Sequence, residues 1–376
     1  MSVIKPITGM TVPYSCLERQ FTDIDAYLED IREVVRSGDF TLGAAVERFE
    51  EEFAALTGLP YAIGVASGTD ALILPLRAAG VGPGDEVITT PNTFVASAAS
   101  IVMVGAKPVF VDNNDEYTID VSLIERAITP RTKAILPVHL SGNPADMPAI
   151  IDIADRHGLA VIEDAAQAIL ASIDGKHVGS WGVAAGFSLH PLKNLNVWGD
   201  GGIIVTRSRD MRDQLRLLRN HGMATREDIR IWGANSRLDS VQAAIGLRLL
   251  AQVREITDRR IAVACRFDQA FADMSDVIAV PRRRSNVHQV FHTYVIRVAE
   301  RDRLLEYLRA EGIGAKVHYP IPIHLQPAAA DLGYKPGDFP VCEADCRSIL
   351  TLPVHQHLSF DEIEYTVSRV RRFYGR

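Results

Sequence analysis

The stretch Tyr61-Ala-Ile-Gly-Val-Ala-Ser-Gly-Thr-Asp-Ala-Leu-Ile-Leu-Pro-Leu-Arg-Ala-Ala79 changes its period halfway along. Its first half holds the short apolar run Ala62–Ala66, which reads as a buried strand. Its second half, Thr69–Ala79, spaces its aliphatic residues as a helix does and stops at Gly80, where a C-cap is expected. Six further runs repeat the strand signal: Glu86–Thr90, Pro108–Val111, Lys133–Val138, Leu159–Ile162, Gly186–Leu189 and Gly202–Thr206. Helix-like segments such as Ala149–His157, again ending at a glycine, lie between them. Strands that alternate with helices predict an α/β layer fold with a mostly parallel seven-stranded sheet and ligands at the carboxyl ends of its strands. A helical stretch from about Leu238 to Phe271 follows. The strand-like His292–Val298, the helix-like Arg301–Glu311 and an amphipathic helix over Phe360–Tyr374 then predict a smaller C-terminal α+β domain, dividing the chain into 1–250 and 251–376.

Composition narrows the function. The 376 residues are 47% hydrophobic and 23% charged, as in a soluble globular protein, and the formal net charge is -7. That balance lacks the clustered basic excess that neutralises phosphate backbones, so no nucleic-acid partner is expected. The opening Met1–Gly9 has no apolar leader-like core, and no later run is apolar over a membrane-spanning length; a cytoplasmic protein without a membrane partner is expected. Four cysteines, Cys16, Cys265, Cys342 and Cys346, contain no C-x-x-C pair. Cys342 and Cys346 share a helical face at a spacing of four and read as small apolar core residues, so no metal is expected.

Three local constellations carry chemistry. Ser67-Gly-Thr69 joins a strand to a helix N-terminus, where backbone amides and the helix dipole suit an anion, although such a segment is also an ordinary N-cap. Asp164 closes the apolar run Val161-Ile-Glu-Asp164, placing a carboxylate at a strand's carboxyl end; it either caps the next turn or holds a proton on a heterocyclic nitrogen. Lys193 lies in Ser188-Leu-His-Pro-Leu-Lys-Asn-Leu-Asn-Val-Trp-Gly-Asp-Gly-Gly202, an amine in a turn flanked by residues that read as buried. An anion cradle, a strand-end carboxylate and an amine are what pyridoxal 5'-phosphate requires for its phosphate, its pyridine nitrogen and its aldehyde.

With those residues in place, the chain resembles the sugar aminotransferases of the DegT/DnrJ/EryC1/StrS family. The resemblance runs from about Phe40 to about Val354. It is carried by Ser67–Ala71, Pro91–Phe94, Val138–Met147, Glu163–Ala168, Lys193 with Gly199–Gly202, Arg237–Ala244 and Val317–Gln326. It implies the fold-type I aminotransferase architecture and a homodimer with shared active sites. It also implies pyridoxal 5'-phosphate alternating with pyridoxamine 5'-phosphate, L-glutamate as amino donor, and a keto-sugar acceptor, nucleotide-linked. By position, Lys193 would be the catalytic amine and Asp164 the partner of the pyridine nitrogen. Gly68, Thr69 and Ser188 would hold the phosphate, Phe94 would stack on the ring, and Gln167 would bond near the ring hydroxyl. Asn235 would reach the phosphate from the partner subunit.

The resemblance places His190, His318 and Tyr319 against the substrate. His190 is similar to members acting on 4-keto sugars, whereas the Lys-Asn-Leu and Gly-Asp-Gly-Gly pattern is similar to members acting on 3-keto sugars. The basic run Arg282-Arg283-Arg284 is either a contact for the substrate diphosphate or a solvated loop. Two departures from the family pattern stand out: Ala234 and Ser236 flank Asn235 where aromatic residues are usual, and Ile169-Leu170 replaces the usual His-Gly. Two rival functions are a pyridoxal-dependent sugar dehydratase, whose members carry histidine in place of the lysine present here, and a non-catalytic cofactor-binding regulatory protein. A dinucleotide enzyme is disfavoured because no G-x-G-x-x-G follows the first strand.

Overall fold

The computed structural model describes residues 9–376; residues 1–8, on which the leader reading rests, lie outside the described residues. Seven strands, numbered here in chain order, form the main sheet: β1 (Tyr61–Val65), β2 (Glu86–Thr89), β3 (Lys107–Phe110), β4 (Thr132–Ile135), β5 (Ala160–Asp164), β6 (Ala184–Ser188) and β7 (Gly202–Thr206). Their spatial order is β1-β7-β6-β5-β4-β2-β3. Only β7 runs against its neighbours, pairing antiparallel with both β1 and β6.

The strands read as unbroken apolar runs because helices cover both faces of the sheet. Ala62, Ala185, Phe187, Ile203 and Val205 pack with Phe49 and Phe53 of helix Ala44–Thr57 and Leu249 of helix Ser240–Leu250. The alternate residues Ile63, Val65, Ala184 and Ile204 pack on the other face with Leu74 of helix Asp70–Ala78 and Leu215 of helix Arg209–Leu218. Burying a single aliphatic side chain of this size is worth about 1.5–3 kcal/mol, so each strand's register is strongly specified. The helices are set by their ends. In Met147–His157 the N-cap Asp146 accepts from the Ala149 amide, and Gly158 closes the helix at φ 64°.

Two expectations shift. The run Lys133–Val138 yields a strand only to Ile135, because Pro137 has no amide to continue the ladder. The stretch from Leu238 is two helices, Ser240–Leu250 and Val253–Phe271, separated at Ala251–Gln252, with no glycine or proline to mark the joint. The second helix leaves the large sheet for a three-stranded antiparallel sheet of Ile278–Ala279, Tyr294–Val298 and Ile349–Leu352. That sheet packs with helices Arg301–Ala310 and Phe360–Phe373. Val12 is fully buried in the same core and pairs with Ile313, so the segment at Val12 is fastened to the C-terminal portion. Cys342 and Cys346 lie on one face of helix Pro340–Ser348, buried with Phe110 and Phe339, and all four cysteines are free thiols. Among the described residues no helix is long and apolar enough to cross a membrane.

Candidate active site

The turn bearing Lys193 is fixed from beneath. Leu189 donates its amide to the Gly201 carbonyl (2.8 Å) and Val197 donates to Leu189 (2.9 Å), which pins the two ends of the turn together. Within it, the Lys193 amide donates to His190 (2.8 Å) and Asn196 Nδ2 to the Lys193 carbonyl (2.9 Å). Buried Asn194 ties the turn to the Val290 carbonyl (3.1 Å), and Gly199 turns the chain at φ 140°, where a side chain is strained. Leu195 and Val197 anchor the turn in the core, which leaves the Lys193 amine in a cavity of about 430 Å³.

That cavity lies beyond the carboxyl ends of β1, β5 and β6 and is closed from the far side by Tyr14, Arg260, His292, His318 and His355. It gathers Gly68, Thr69, Phe94, Asp164, Gln167, Ser188, His190, Lys193, His318 and Tyr319 into one lining. A larger groove, about 680 Å³, runs between helices Ile24–Ser37, Ala44–Thr57 and Ser240–Leu250. Its arginines are already paired, Arg248 with Asp30 (2.6 Å) and Arg48 with Glu52 (2.8 Å), and it shares no residue with the Lys193 cavity. We therefore place the chemistry in the smaller one.

Asp164 is 5% exposed and held on both oxygens. Ser97 Oγ donates to Oδ2 (2.6 Å), and the Ala166 amide donates to Oδ1 (3.1 Å). Ser97 is itself bonded to Thr93 (2.7 Å). Behind it, Glu163 is fully buried and accepts from His139 (3.1 Å) and from the amides of Gly179 (2.8 Å), Trp181 (2.9 Å) and Gly182 (2.9 Å). Burial pushes the Glu163 carboxyl up, but His139 and these amides outweigh it and hold the group below the usual carboxylate range. Because His139 Nδ1 accepts from the Ala145 amide (3.1 Å), its Nε2 carries the proton toward Glu163. This pair braces the loop whose Ser141 amide donates to Gln167 Oε1 (2.7 Å).

Burial lowers the Lys193 ammonium to about 8, against an upward pull from Asp164. Burial likewise drives His292 well below the usual imidazole value, with the Lys193 charge adding to the effect, and drives His318 to about 4. Tyr319 is pushed up to about 12 by burial and the Asp164 charge, opposed by a hydrogen bond with Gln167. Lys193 therefore shares the pocket with the His292 and His318 imidazoles and the Tyr319 phenol, all three held neutral by burial.

Anion-binding capacity sits at Ser67–Thr69. Ser67 Oγ accepts from the Asp70 amide (3.1 Å) where the helix begins. Among the described residues, however, the Gly68 and Thr69 amides have no protein acceptor, and they adjoin the N-terminus of helix Asp70–Ala78. A Cβ at Gly68 would lie 2.6 Å from Ser188 Cβ and 2.8 Å from its hydroxyl oxygen, so glycine is what lets Ser188 approach. Phe94 keeps 53% of its surface exposed at the mouth, its ring 6.2 Å from that of Tyr319. Two free amides and a hydroxyl, an exposed aromatic face, an anchored carboxylate and an amine fit pyridoxal 5'-phosphate group by group. Among the described residues no cluster of three or more His, Cys, Asp or Glu is placed to hold a metal ion.

Four expected residues lie outside this cavity. Asn235 is exposed on another surface. Arg283 is held by Asp268 (2.9 Å) and Arg284 by Glu116 (2.8 Å), so neither is free to meet an outside anion. Arg282 alone of that run is exposed and makes no ion pair among the described residues. Ser97, Tyr14, Arg260 and His355 line or brace the site without any local sequence signal, because each reaches it from a different part of the chain.

The sequence model of the DegT/DnrJ/EryC1/StrS aminotransferase family matches residues 22–371. The chain is 43% identical over 368 residues to the "pleiotropic regulatory protein" of Geobacillus stearothermophilus, covering 97% of this chain and 99% of that one. It is 41% identical over 365 residues to the "dTDP-3-amino-3,4,6-trideoxy-alpha-D-glucose transaminase" of Streptomyces venezuelae, covering 95% and 96%. The crystal structure of S. venezuelae DesV "in complex with ketimine intermediate" superposes with a TM-score of 0.95 at 40% identity, over 99% of this chain and all of that one. The α/β architecture is the fold-type I aminotransferase one that the resemblance implied, and the chain belongs to the DegT/DnrJ/EryC1/StrS aminotransferase family.

Proposed function

We propose that this protein moves the amino group of L-glutamate to a nucleotide-linked 3-keto sugar, using pyridoxal 5'-phosphate in the Lys193 cavity. The observation that carries the reading is the buried amine of Lys193, its ammonium lowered by burial to about 8, in one cavity with an anchored carboxylate and two backbone amides that have no protein acceptor among the described residues. The choice of a 3-keto over a 4-keto acceptor is supported by the Streptomyces relative, which is named for a 3-amino sugar. Cytoplasmic amino-sugar biosynthesis, with a homodimer as the working unit, completes the proposal.

Bound pyridoxal 5'-phosphate would supply an electron sink and a carrier for the amino group. The Gly68 and Thr69 amides and the Ser188 hydroxyl would bind its phosphate, and the exposed ring of Phe94 would cover one face. Asp164, fixed by Ser97, would hold a proton at the pyridine nitrogen. Gln167, oriented by the Ser141 amide, would bond near the ring hydroxyl. Lys193 Nζ would take a proton from the donor's α-carbon in one half-reaction and deliver one to the sugar carbon in the other. His190, His318 and Tyr319 line the same cavity and would face the sugar. Asn235 and Arg282 of a second copy would complete the phosphate and diphosphate contacts. Asn235 lies away from its own cavity, and the same loop exposes Trp232 at 88% and Ile229 at 60%, apolar surface suited to a subunit interface.

The test is an absorption spectrum of the protein purified with pyridoxal 5'-phosphate, before and after L-glutamate. A visible band that glutamate converts to a near-ultraviolet band, absent in Lys193→Ala, supports the reading. A bound cofactor that ignores glutamate overturns the donor, and no Lys193-dependent band overturns the enzyme. A panel of 3-keto and 4-keto nucleotide sugars then tests the acceptor.

A further inference from the structure

An arm, residues 220–237, follows helix Arg209–Leu218 and carries Ile229, Trp232 and Asn235, all exposed. Its two sides are tied together. Asn220 pairs with Asn235 and Met223 with Ile229, the His221 amide donates to the Ala234 carbonyl (2.9 Å), and Arg237 Nη1 donates to Asn220 Oδ1 (3.0 Å). The sides also touch directly, since a Cβ at Gly222 would run into the Ile231 carbonyl and one at Gly233 into the Gly222 amide. An arm cross-tied in this way moves as one body, so the place of Asn235 is decided at its root.

Arg219 is that root. It is 3% exposed, and its carbonyl accepts from the Ser236 amide (3.0 Å), which joins the two ends of the arm. Its Nη1 donates to the Gly64 carbonyl (2.8 Å) and pairs with Glu50 of helix Ala44–Thr57, while Glu50 Oε1 accepts from the Gly64 amide (2.8 Å). One residue of β1 is thereby gripped at both its carbonyl and its amide. From Gly64 the chain runs on into Ser67–Thr69, and Arg77, on the helix that starts there, donates to the Trp232 carbonyl (3.0 Å). The arm is therefore fastened to the strand and the helix that carry the anion cradle. Burying both charges is costly, and Arg219 Nε has no partner among the described residues, so part of that cost is not offset. An apolar pair would fill the same space but could slide, whereas a guanidinium, a carboxylate and a peptide unit closed in a ring fix one geometry. The pair is built to set a position.

We propose that Arg219, through its buried pair with Glu50, is a positioning residue that holds the arm of one subunit in register with the cofactor phosphate of the other. The inference rests on the aminotransferase reading above, in which Asn235 acts across a dimer. The test uses mixed dimers: two differently tagged chains are co-expressed, the hybrid is isolated by sequential affinity steps, and pyridoxal 5'-phosphate affinity is read from the visible band that only a site with Lys193 gives. In Arg219→Lys homodimers the affinity should fall roughly tenfold or more, because lysine keeps the charge but cannot bridge Glu50 and the Gly64 carbonyl as a planar fork does.

In a hybrid of Arg219→Lys with Lys193→Ala, the band comes from the Arg219→Lys chain, which now receives an intact arm. Its affinity should return to within about twofold of a hybrid of wild type with Lys193→Ala. A chain carrying both substitutions, paired with wild type, should pass the defect to the wild-type site. A defect that stays in the chain bearing Arg219→Lys makes the pair a strut for β1 in its own site and overturns the proposal, as does unchanged affinity throughout. Should Arg219→Lys fail to fold, Glu50→Gln goes through the same hybrids. Should both fail, hydrogen exchange of the wild-type dimer decides: Ala234 and Ser236 amides as protected as those of β1 support the anchored arm, and exchange at the rate of an exposed loop refutes it. A wild-type protein with no Lys193-dependent band would instead overturn the aminotransferase reading, and one that sediments as a monomer would overturn the dimer, whatever Arg219 holds.

Discussion

Raising the pH should unmask Lys193 well before an ordinary lysine. Burial disfavours its ammonium and lowers it from 10.5 to about 8, while the Asp164 charge resists the change. At about 1.4 kcal/mol per pH unit, the environment costs the protonated form about 3 kcal/mol. At pH about 7.5, roughly a quarter of the amine is then free to attack a carbonyl, against about one part in a thousand for a lysine at the ordinary value. The assay is trace acylation of the cofactor-free protein across about pH 6 to 11, with the Lys193 peptide quantified by mass spectrometry. The midpoint should fall near 8. Asp164→Asn supplies the perturbation: because the carboxylate raises the lysine's proton affinity, its removal should move the midpoint further down. A midpoint near 10.5, or an upward shift in Asp164→Asn, would refute burial as the source of the reactive amine.

Other outcomes follow from neighbouring contacts. Gly68→Ala would force a Cβ to 2.6 Å from that of Ser188, and should weaken pyridoxal 5'-phosphate retention by roughly tenfold or more as the hydroxyl is displaced, measured by equilibrium dialysis. Ser97→Ala removes the 2.6 Å bond on Asp164; a hydrogen bond to a charged group is worth about 1.5–3 kcal/mol, so the glutamate half-reaction should slow roughly 10- to 100-fold in stopped flow with the fold retained. An unchanged rate would mean Asp164 needs no such anchor. Glu163 is held below the ordinary 4.5 when folded, so its contribution to stability is present above that pH and lost as the pH falls through and below it. Thermal midpoints of Glu163→Gln should therefore be lower than wild type near neutrality and converge with it in acid; parallel curves would contradict the assignment.

The sheet was legible because its inner strands, such as Gly202–Thr206, are buried on both faces, which makes the alternation of apolar runs with helices unmistakable. The ends were less so. Where Lys133–Val138 stops depends on one missing amide at Pro137, and the joint at Ala251–Gln252 has no breaker residue to announce it. Lys193, Asp164 and Ser67–Thr69 could be found locally, since a strand end, a turn and a helix start each carry their own chemistry. Arg260, His355, Tyr14 and Ser97 could not, because their importance comes from groups far along the chain. Arg260 meets His292 and Val354 only through the fold, and Ser97 meets Asp164 across 67 residues. The same blindness explains Arg283 and Arg284: the sequence displays a basic run, and only the fold reveals that Asp268 and Glu116 already hold two of its three charges.

The central claim is that the protein carries an amino group from L-glutamate to a keto sugar by way of Lys193. Holoenzyme supplied with ¹⁵N-labelled L-glutamate and a nucleotide-linked 3-keto sugar should yield an amino sugar carrying the label, with an equal amount of 2-oxoglutarate, and Lys193→Ala should yield neither. Oxoglutarate without labelled sugar across the keto-sugar panel, or labelled sugar undiminished in Lys193→Ala, would contradict it.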